Sequence, residues 1–147
     1  MTLLTVRDLH VTFDTEAGLV EAVRGVSFSL GRERLGIVGE SGSGKTMTGR
    51  SVLRLIRPPG RIEAAEMTFD GIDLMRASEA QMRSLRGPRI AMVMQDPKYS
   101  LNPVMRVGAQ LTEGLRQRDR LSAADARDKA VAALEAVQIR DPGRVMD

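Results

Sequence analysis

The chain has 147 residues, of which 42% are hydrophobic and 28% are charged, a composition typical of a globular domain or part of one. Its net charge of +3 comes from 22 basic and 19 acidic residues scattered along the sequence, so we expect no nucleic-acid partner. The absence of cysteine excludes disulfides and thiolate metal sites, and no apolar run approaches the roughly 20 residues that span a bilayer.

The N-terminal segment predicts two strands, each with one buried face. Residues 1–13 lack the basic and apolar pattern of a secretion leader, so we expect a cytoplasmic chain. His10 is interpreted as an ordinary strand residue rather than a metal ligand. A turn over residues 14–18 separates the two apolar series, Leu4, Val6, Leu9, Val11 and Phe13, then Val23, Val26, Phe28 and Leu30.

A buried strand and a helix are predicted next. The apolar run Leu35–Val38 ends at a glycine, which is typical of a parallel strand that enters a loop. The helix is expected to begin near Lys45 and to end before Pro58. Its predicted inward side chains are Val52, Leu53 and Ile56.

The middle of the chain predicts two more strand-like pieces, a short helix and a second buried strand. Residues 62–69 and 72–74 flank an Asp70-Gly71 turn. Ser78 and Gln81 form a capping box for a helix that runs to residue 85. The run Ile90–Met94 is apolar at every position, so we expect both faces of that strand to be covered.

The pattern becomes helical after residue 103. One predicted helix has a single apolar face made by Val107, Leu111 and Leu115, and a second is capped by Ser122 with Asp125. The second helix is expected to bury Ala126, Ala130, Leu134 and Val137. This part of the sequence indicates a helical subdomain.

Residues 39–46 match the phosphate-binding pattern G-x-x-x-x-G-K-[ST], with a strand signal before them and a helix signal after them. The glycines let main-chain N–H groups converge on phosphate oxygens at a helix N-terminus. Lys45 is expected to contact the β- and γ-phosphates of ATP, and the Thr46 hydroxyl is expected to bind Mg²⁺. The predicted nucleotide-binding residues are Gly39, Glu40, Ser41, Gly42, Ser43, Gly44, Lys45 and Thr46.

The alternative to a nucleotide site is a glycine-rich surface turn that matches the pattern by chance. The motif alone also does not choose among kinases, GTPases, motor ATPases and transporters. The position of the motif is more informative, because 38 residues with two strand patterns precede it.

This order of elements resembles the ATPase subunits of ABC transporters, in which an antiparallel β layer precedes the phosphate-binding loop. In that family an aromatic residue of the layer stacks on adenine, and Phe13 stands at the matching place. The alternative is that Phe13 is a core residue of an alternating strand. Gln95 resembles the glutamine of the family's Q-loop, which reaches the Mg²⁺ and the attacking water. A glutamine that merely ends a strand is the alternative there.

The segment from Gln95 to Pro103 reads Q-D-P-K-Y-S-L-N-P and is similar to the Q-D-P-x-x-S-L-N-P stretch of dipeptide, oligopeptide, glutathione and nickel importers. The resemblance implies an α/β P-loop NTPase core of the ABC type with an N-terminal antiparallel β layer. It divides the chain into residues 1–97, the first part of the ATPase core, and residues 98–147, the start of a helical subdomain. It also implies that Tyr99–Met105 faces the permease.

The family's signature loop, Walker B aspartate, catalytic glutamate and switch histidine do not occur in residues 1–147. We therefore expect a truncated ATPase that binds nucleotide at best weakly on its own. For the complete protein, the resemblance implies ATP hydrolysis with Mg²⁺, with Lys45 and Gln95 as catalytic residues. It implies two permease subunits, a second related ATPase and, indirectly, a periplasmic or lipid-anchored substrate-binding protein. The expected location is peripheral, on the cytoplasmic face of the inner membrane, and the expected cargo is a peptide or nickel.

Three other interpretations remain open at this stage. One is a nucleotide-binding fragment without hydrolysis. Another is a soluble ABC-type ATPase of DNA repair or translation, in which we would expect a long insertion after Gln95. A third is a nucleotide kinase, which the two leading strands disfavour.

Overall fold

A computed structural model describes residues 2–94 and 100–147, in two compact units, Met1–Met92 and Val93–Asp147. The first unit combines an antiparallel sheet with two helices, and the second is helical, so the fold is α/β as the sequence predicted. The elements of the first unit are β1 (Leu4–Thr15), β2 (Gly18–Leu30), α1 (Lys45–Val52), β3 (Gly60–Glu63), β4 (Glu66–Phe69), β5 (Ile72–Asp73) and α2 (Glu79–Leu85). Those of the second are α3 (Val107–Asp119), α4 (Ala123–Ala136) and α5 (Pro142–Met146).

Strand β1 is the centre of the sheet. β2 pairs with one edge of β1 along most of its length, in an antiparallel register that joins Leu4 to Leu30 and Thr15 to Gly18. On the other edge β4 pairs with the first part of β1 and β3 with the last part, both antiparallel. β5 extends the sheet beyond β4. The N-terminal antiparallel layer predicted from the sequence is therefore confirmed.

A β-bulge in β1 explains an irregularity in its apolar pattern. Between Val6 and Leu9, β1 advances by three residues while its partner β2 advances by two, so β1 contains one extra residue. Asp8 has a φ of 52°, and its N–H donates to the hydroxyl of Ser27 at 2.8 Å. The extra residue moves the inward positions from even to odd numbers, and Val6, Leu9 and Val11 are consequently all buried.

The local turn and cap signals of the middle region are confirmed. Asp70 and Gly71 have φ values of 48° and 79°, the left-handed geometry of a two-residue hairpin, and they join β4 to β5. At the start of α2, the Gln81 N–H donates to the Ser78 hydroxyl at 3.3 Å. The Ser78 N–H in turn donates to the Gln81 side-chain carbonyl at 2.8 Å, which completes the capping box.

The core of the first unit lies between the sheet and the two helices. Its members are apolar side chains from β1, β2, α1, β4, α2 and the segment between β5 and α2: Leu4, Val6, Leu9, Val11, Val23, Val52, Met67, Phe69, Leu74, Ala77, Met82 and Leu85. Burial of these side chains is the main force that holds α1 and α2 on the sheet.

Helix α1 ends earlier than predicted. Val52 is its last residue, and Ile56 is partly buried against the core from outside the helix. The main chain turns at Arg54, whose φ is 50°, and the N–H groups of Arg54 and Leu55 donate to the carbonyls of Ser51 and Arg50, both at 2.8 Å. This is the Schellman pattern, which is more often made by glycine, and no sequence signal marked it.

The two predicted buried parallel strands are wrong. Neither Leu35–Val38 nor the part of the chain from residue 91 to 94 is a strand, and Val38 and Val93 are 95% and 92% exposed. Ile90 makes one isolated bridge with Arg86. A parallel strand needs neighbours on its hydrogen-bonding edges and cover on both faces, and apart from Ile90 the described residues of these segments have no strand neighbour.

The second unit confirms both predicted helices and adds a third. The Asp125 N–H donates to the Ser122 hydroxyl at 3.1 Å, so the predicted cap of α4 is present. Ala126 and Ala130 are buried as expected, but Val137 lies beyond the end of α4 and is 68% exposed. Helix α5 was not predicted.

A side-chain ion pair connects α3 to α4 within the second unit. Arg118 donates to Asp119 at 2.6 Å, and Lys129 of α4 donates to the same carboxylate at 2.8 Å. The hydrogen bond from Arg118, with that from Lys129, holds the pKa of Asp119 well below its usual range. Asp119 is therefore ionised at neutral pH.

No helix in the described part of the chain has both the length and the apolarity that crossing a bilayer requires.

Helices α3 and α5 approach each other closely at Gly108, which generates a test of the second unit. A Cβ at position 108 would lie 2.2 Å from the main-chain oxygen of Met146, whereas a Cβ at Gly114 of the same helix has no neighbour within 4 Å. Gly108→Ala is expected to lower the free energy of unfolding by about 1–3 kcal/mol. Gly114→Ala is expected to raise it by up to about 1 kcal/mol, because alanine favours helix. Urea denaturation followed by circular dichroism measures both, and equal effects of the two substitutions would contradict the packing.

Candidate functional site

The predicted phosphate-binding loop is a compact turn that leads directly into α1. The Ser43 N–H donates to the carbonyl of Glu40 at 3.2 Å and closes the turn. Gly42 and Gly44 have φ values of 84° and 90°, a left-handed conformation that costs other residues about 1–2 kcal/mol. Glycine at both positions therefore avoids this strain.

Gly44 also lets the loop approach the sheet. A Cβ at this position would lie 2.5 Å from the Ala22 carbonyl oxygen and 3.2 Å from a methyl group of Val23, both on β2. The first turn of α1 is therefore seated against β2. At the other end of the loop, a Cβ on Gly39 would lie 2.5 Å from the Ser43 hydroxyl, so the chain folds back on itself there.

The side chain of Lys45 lies inside this loop. Its ammonium group donates to the carbonyls of Gly39 at 2.7 Å and Glu40 at 2.6 Å, and to the Ser43 hydroxyl at 3.3 Å. A compact positive charge is thus held by main-chain dipoles that an anion could replace. An ammonium group attracts a negatively charged phosphate oxygen more strongly than a neutral carbonyl oxygen, so a phosphate would compete with these carbonyls for Lys45.

The N-terminus of α1 adds to the positive potential. The first turn of a helix has N–H groups without intrahelical partners, and Gly44, the N-cap, provides no side-chain cap. The first turn also contains no acidic residue. Lys45 and Thr46 are the first two residues of this helix, so the ammonium and the hydroxyl both lie at its positive end.

The chemistry of Thr46 fits a magnesium ion that is shared with a ligand. Its side chain is exposed in the first turn of α1 and offers one oxygen, the donor type that Mg²⁺ prefers. Among the described residues no group of three or more histidine, aspartate or glutamate side chains could hold a metal ion. An ion at Thr46 therefore needs further oxygens from phosphate and water.

Phe13 lies in β1, opposite Gly60 of β3 and Val20 of β2. It is partly buried, and its ring covers Gly60, where an added Cβ would lie 2.6 Å from a ring carbon. These contacts give Phe13 a packing role in the sheet, and its partial exposure leaves ring surface free. Both interpretations of Phe13, core residue and stacking surface, are consistent with this geometry.

Gln95 and Tyr99 lie outside the described residues. Downstream, the segment 100–105 is held by Gln110 of α3, a residue that the sequence analysis missed. The Gln110 side chain accepts from the Asn102 N–H at 2.8 Å and donates to the carbonyls of Asn102 and Met105, both at 2.9 Å. No sequence signal marks Gln110, because its role depends on these contacts in the folded chain.

A sequence profile described as "ABC transporter" matches residues 23–146, which is most of the chain. The chain belongs to the ABC transporter family. The match includes the loop at residues 39–46 and the first turn of α1. It also includes every residue of the second unit except Asp147.

Several curated relatives have identical residues at more than two fifths of the positions aligned with this chain, and the alignments cover nearly the whole chain. The oligopeptide transport ATP-binding protein OppD of Bacillus subtilis (strain 168) is 47% identical over 142 residues, which is 95% of this chain and 40% of that protein. The dipeptide transport ATP-binding protein DppD of the same strain is 43% identical over 143 residues, 96% of this chain and 43% of that protein. OppD of Escherichia coli (strain K12) is 44% identical over 145 residues, 98% of this chain and 43% of that protein. The chain thus spans about two fifths of the length of these relatives.

The contact of Gly44 with β2 generates a stability test of the loop. Gly42→Ala adds a side chain at positive φ with no neighbour within 4 Å, whereas Gly44→Ala adds the same strain and a collision with the Ala22 carbonyl. In urea denaturation without nucleotide, we expect a loss of about 1–2 kcal/mol for Gly42→Ala and about 2–4 kcal/mol for Gly44→Ala. Equal losses would show that the loop does not rest on β2.

Proposed function

We propose that residues 39–46 bind the phosphate chain of ATP together with Mg²⁺. The observation that carries the proposal is the Lys45 ammonium, which lies inside a glycine loop at the N-terminus of α1 and is held there by exchangeable main-chain carbonyls. Membership in the ABC transporter family and the names of the relatives, which are ATP-binding proteins, support it. Gly39 to Gly44 supply main-chain N–H groups, Lys45 supplies positive charge and Thr46 supplies a metal ligand.

In the complete protein this site serves ATP hydrolysis coupled to transport. Lys45 stabilises negative charge that accumulates on the phosphate oxygens, and Mg²⁺, when bound, neutralises part of the same charge. When Mg²⁺ and ATP are bound, the side-chain amide of Gln95 would orient water and would serve as a neutral ligand that leaves the charge of the site unchanged. Residues 1–97 form the first part of the ATPase core, and residues 98–147 begin the helical subdomain.

The transported substrate is a peptide. The relatives are named for oligopeptide and dipeptide transport, and several others are named as peptide import ATP-binding proteins, which favours peptides over the nickel expected as the alternative. The partners are two permease subunits, which dock near Tyr99–Met105, a second related ATPase subunit and, indirectly, a substrate-binding protein. The subunit works as a peripheral protein on the cytoplasmic face of the inner membrane.

Removal of the Lys45 ammonium tests the nucleotide site. Lys45→Ala is expected to weaken MgATP binding at least about tenfold, because charged hydrogen bonds to phosphate are lost. Isothermal titration calorimetry on the full-length protein measures the affinity. Lys129→Ala is the matched control, since Lys129 pairs with Asp119 in the second unit. Unchanged affinity in Lys45→Ala, or an equal loss in both variants, would contradict the proposal.

Comparing ATP with a phosphate chain that has no adenine distinguishes the two roles of Phe13, adenine stacking and packing in the sheet. If its ring stacks on adenine, Phe13→Ala weakens ATP binding by about 1–3 kcal/mol and leaves the affinity for inorganic tripolyphosphate unchanged, while Phe13→Tyr preserves both. If Phe13 only packs over Gly60, ATP and tripolyphosphate binding change together. Parallel calorimetric titrations with the two ligands decide between these outcomes.

The role of Gln95 predicts that hydrolysis and binding respond differently to its removal. In the complete transporter, Gln95→Ala is expected to retain ATP affinity and to lower the rate of ATP hydrolysis by about 10²-fold or more, as when one preorganised polar group is lost. Phosphate release and nucleotide binding are measured on the same preparation. Normal hydrolysis in the variant would remove Gln95 from the mechanism.

A further inference from the structure

The guanidinium group of Arg86, which follows α2, connects the ends of two helices within the first unit. Its Nε donates to the carbonyl of Leu53 at 2.7 Å and its Nη2 to the carbonyl of Arg54 at 3.3 Å. Its Nη1 donates to the Glu79 carboxylate at 2.5 Å. The Arg86 side chain is 23% exposed, so it is largely enclosed by the groups that it contacts.

The two carbonyls that Arg86 contacts belong to the C-terminal end of α1. The Schellman turn at Arg54 satisfies the carbonyls of Arg50 and Ser51 but leaves those of Leu53 and Arg54 to find other donors. Arg86 provides these donors, and its positive charge lies at the negative end of the helix.

Arg54 reinforces the same connection from the opposite direction. Its guanidinium donates to the carbonyl of Leu74 at 3.3 Å and to that of Ala77. Two arginines thus tie the end of α1 to the segment from residue 74 to 86. Val52, Met82 and Leu85 belong to the same buried apolar core.

Glu79 of α2 orients the guanidinium group of Arg86 by accepting a hydrogen bond from it. Glu79 is the first residue of α2, and the hydrogen bond from Arg86 lowers the pKa of its carboxyl group. The lowered pKa favours the ionised Glu79 carboxylate that the hydrogen bond from Arg86 requires.

Helix α1 has only eight residues, a length of about 12 Å, and helices this short are marginal unless tertiary contacts hold them. Its N-terminus carries Lys45 and Thr46, while the contact of Gly44 with β2 fixes that end in position. The direction of the helix axis then depends on where the C-terminal end is held. The orientation of the first-turn N–H groups changes with the direction of that axis.

We infer that Arg86 is a positioning residue for the phosphate-binding helix, one that sets nucleotide affinity by anchoring the end of α1 remote from the ligand. The inference rests on the proposed nucleotide site at residues 39–46. Arg86 does not touch the ligand, so its effect passes through α1.

The test compares Arg86→Ala with Arg83→Ala in the full-length protein. Arg83 lies on α2, is exposed and carries the same charge, so its removal controls for net charge and for substitution on this helix. We expect Arg86→Ala to weaken MgATP binding about tenfold and to speed amide hydrogen exchange in α1. Arg83→Ala is expected to change neither. Arg86→Lys, which can make only part of the fork, is expected to fall between them.

Stability and affinity are measured separately, because Arg86 could stabilise the fold without affecting nucleotide affinity. Affinities are compared by calorimetry at a temperature where every variant is folded by circular dichroism. A lower melting temperature for Arg86→Ala with unchanged affinity would overturn the inference. If Arg86→Ala does not fold, Glu79→Gln replaces it, with an expected loss of about two- to threefold. For that variant, unchanged affinity is again the contradicting result.

Failure of the inference can be distinguished from failure of the proposed function. If the unsubstituted protein binds MgATP and Arg86→Ala binds it equally well, only the positioning role is wrong. If the unsubstituted protein does not bind MgATP, the nucleotide site itself is wrong, and the positioning role falls with it.

Discussion

The ammonium group of Lys45 organises the loop that precedes it. It is held within hydrogen-bonding distance of the Gly39 and Glu40 carbonyls, and this draws the two ends of the loop together around a positive charge. The left-handed conformations of Gly42 and Gly44 make the turn possible. A phosphate chain would compete for the same ammonium as a charged acceptor, which is the physical basis of the proposed nucleotide site.

The rest of the first unit keeps α1 in place beneath that loop. At the N-terminal end, the absence of a side chain at Gly44 allows contact with the Ala22 carbonyl of β2. At the C-terminal end, Arg54 and Arg86 connect the last turn to the segment that includes α2. A short helix held at both ends presents its first-turn N–H groups in a fixed direction, which limits the reorganisation that ligand binding requires.

Signals that depend on a few neighbouring residues were sufficient to predict much of this structure. The Asp70-Gly71 hairpin, the Ser78 and Ser122 caps and the glycine turn at residues 39–46 each involve residues close in sequence, and their geometry follows from local sterics and hydrogen bonding. The apolar run Leu35–Val38 was misjudged because burial of a strand depends on partners distant in sequence. The left-handed turn at Arg54 and the roles of Arg86 and Gln110 depend on contacts that no periodicity records.

The central claim, that residues 39–46 receive the phosphates of ATP, is tested most directly by NMR titration of the full-length protein with MgATP. The expected result is a saturable shift of the main-chain amide signals of residues 39–46, together with a change in the Lys45 ammonium environment as it leaves the Gly39 and Glu40 carbonyls. Saturable shifts that spare these residues, or no shifts at millimolar MgATP, would contradict it.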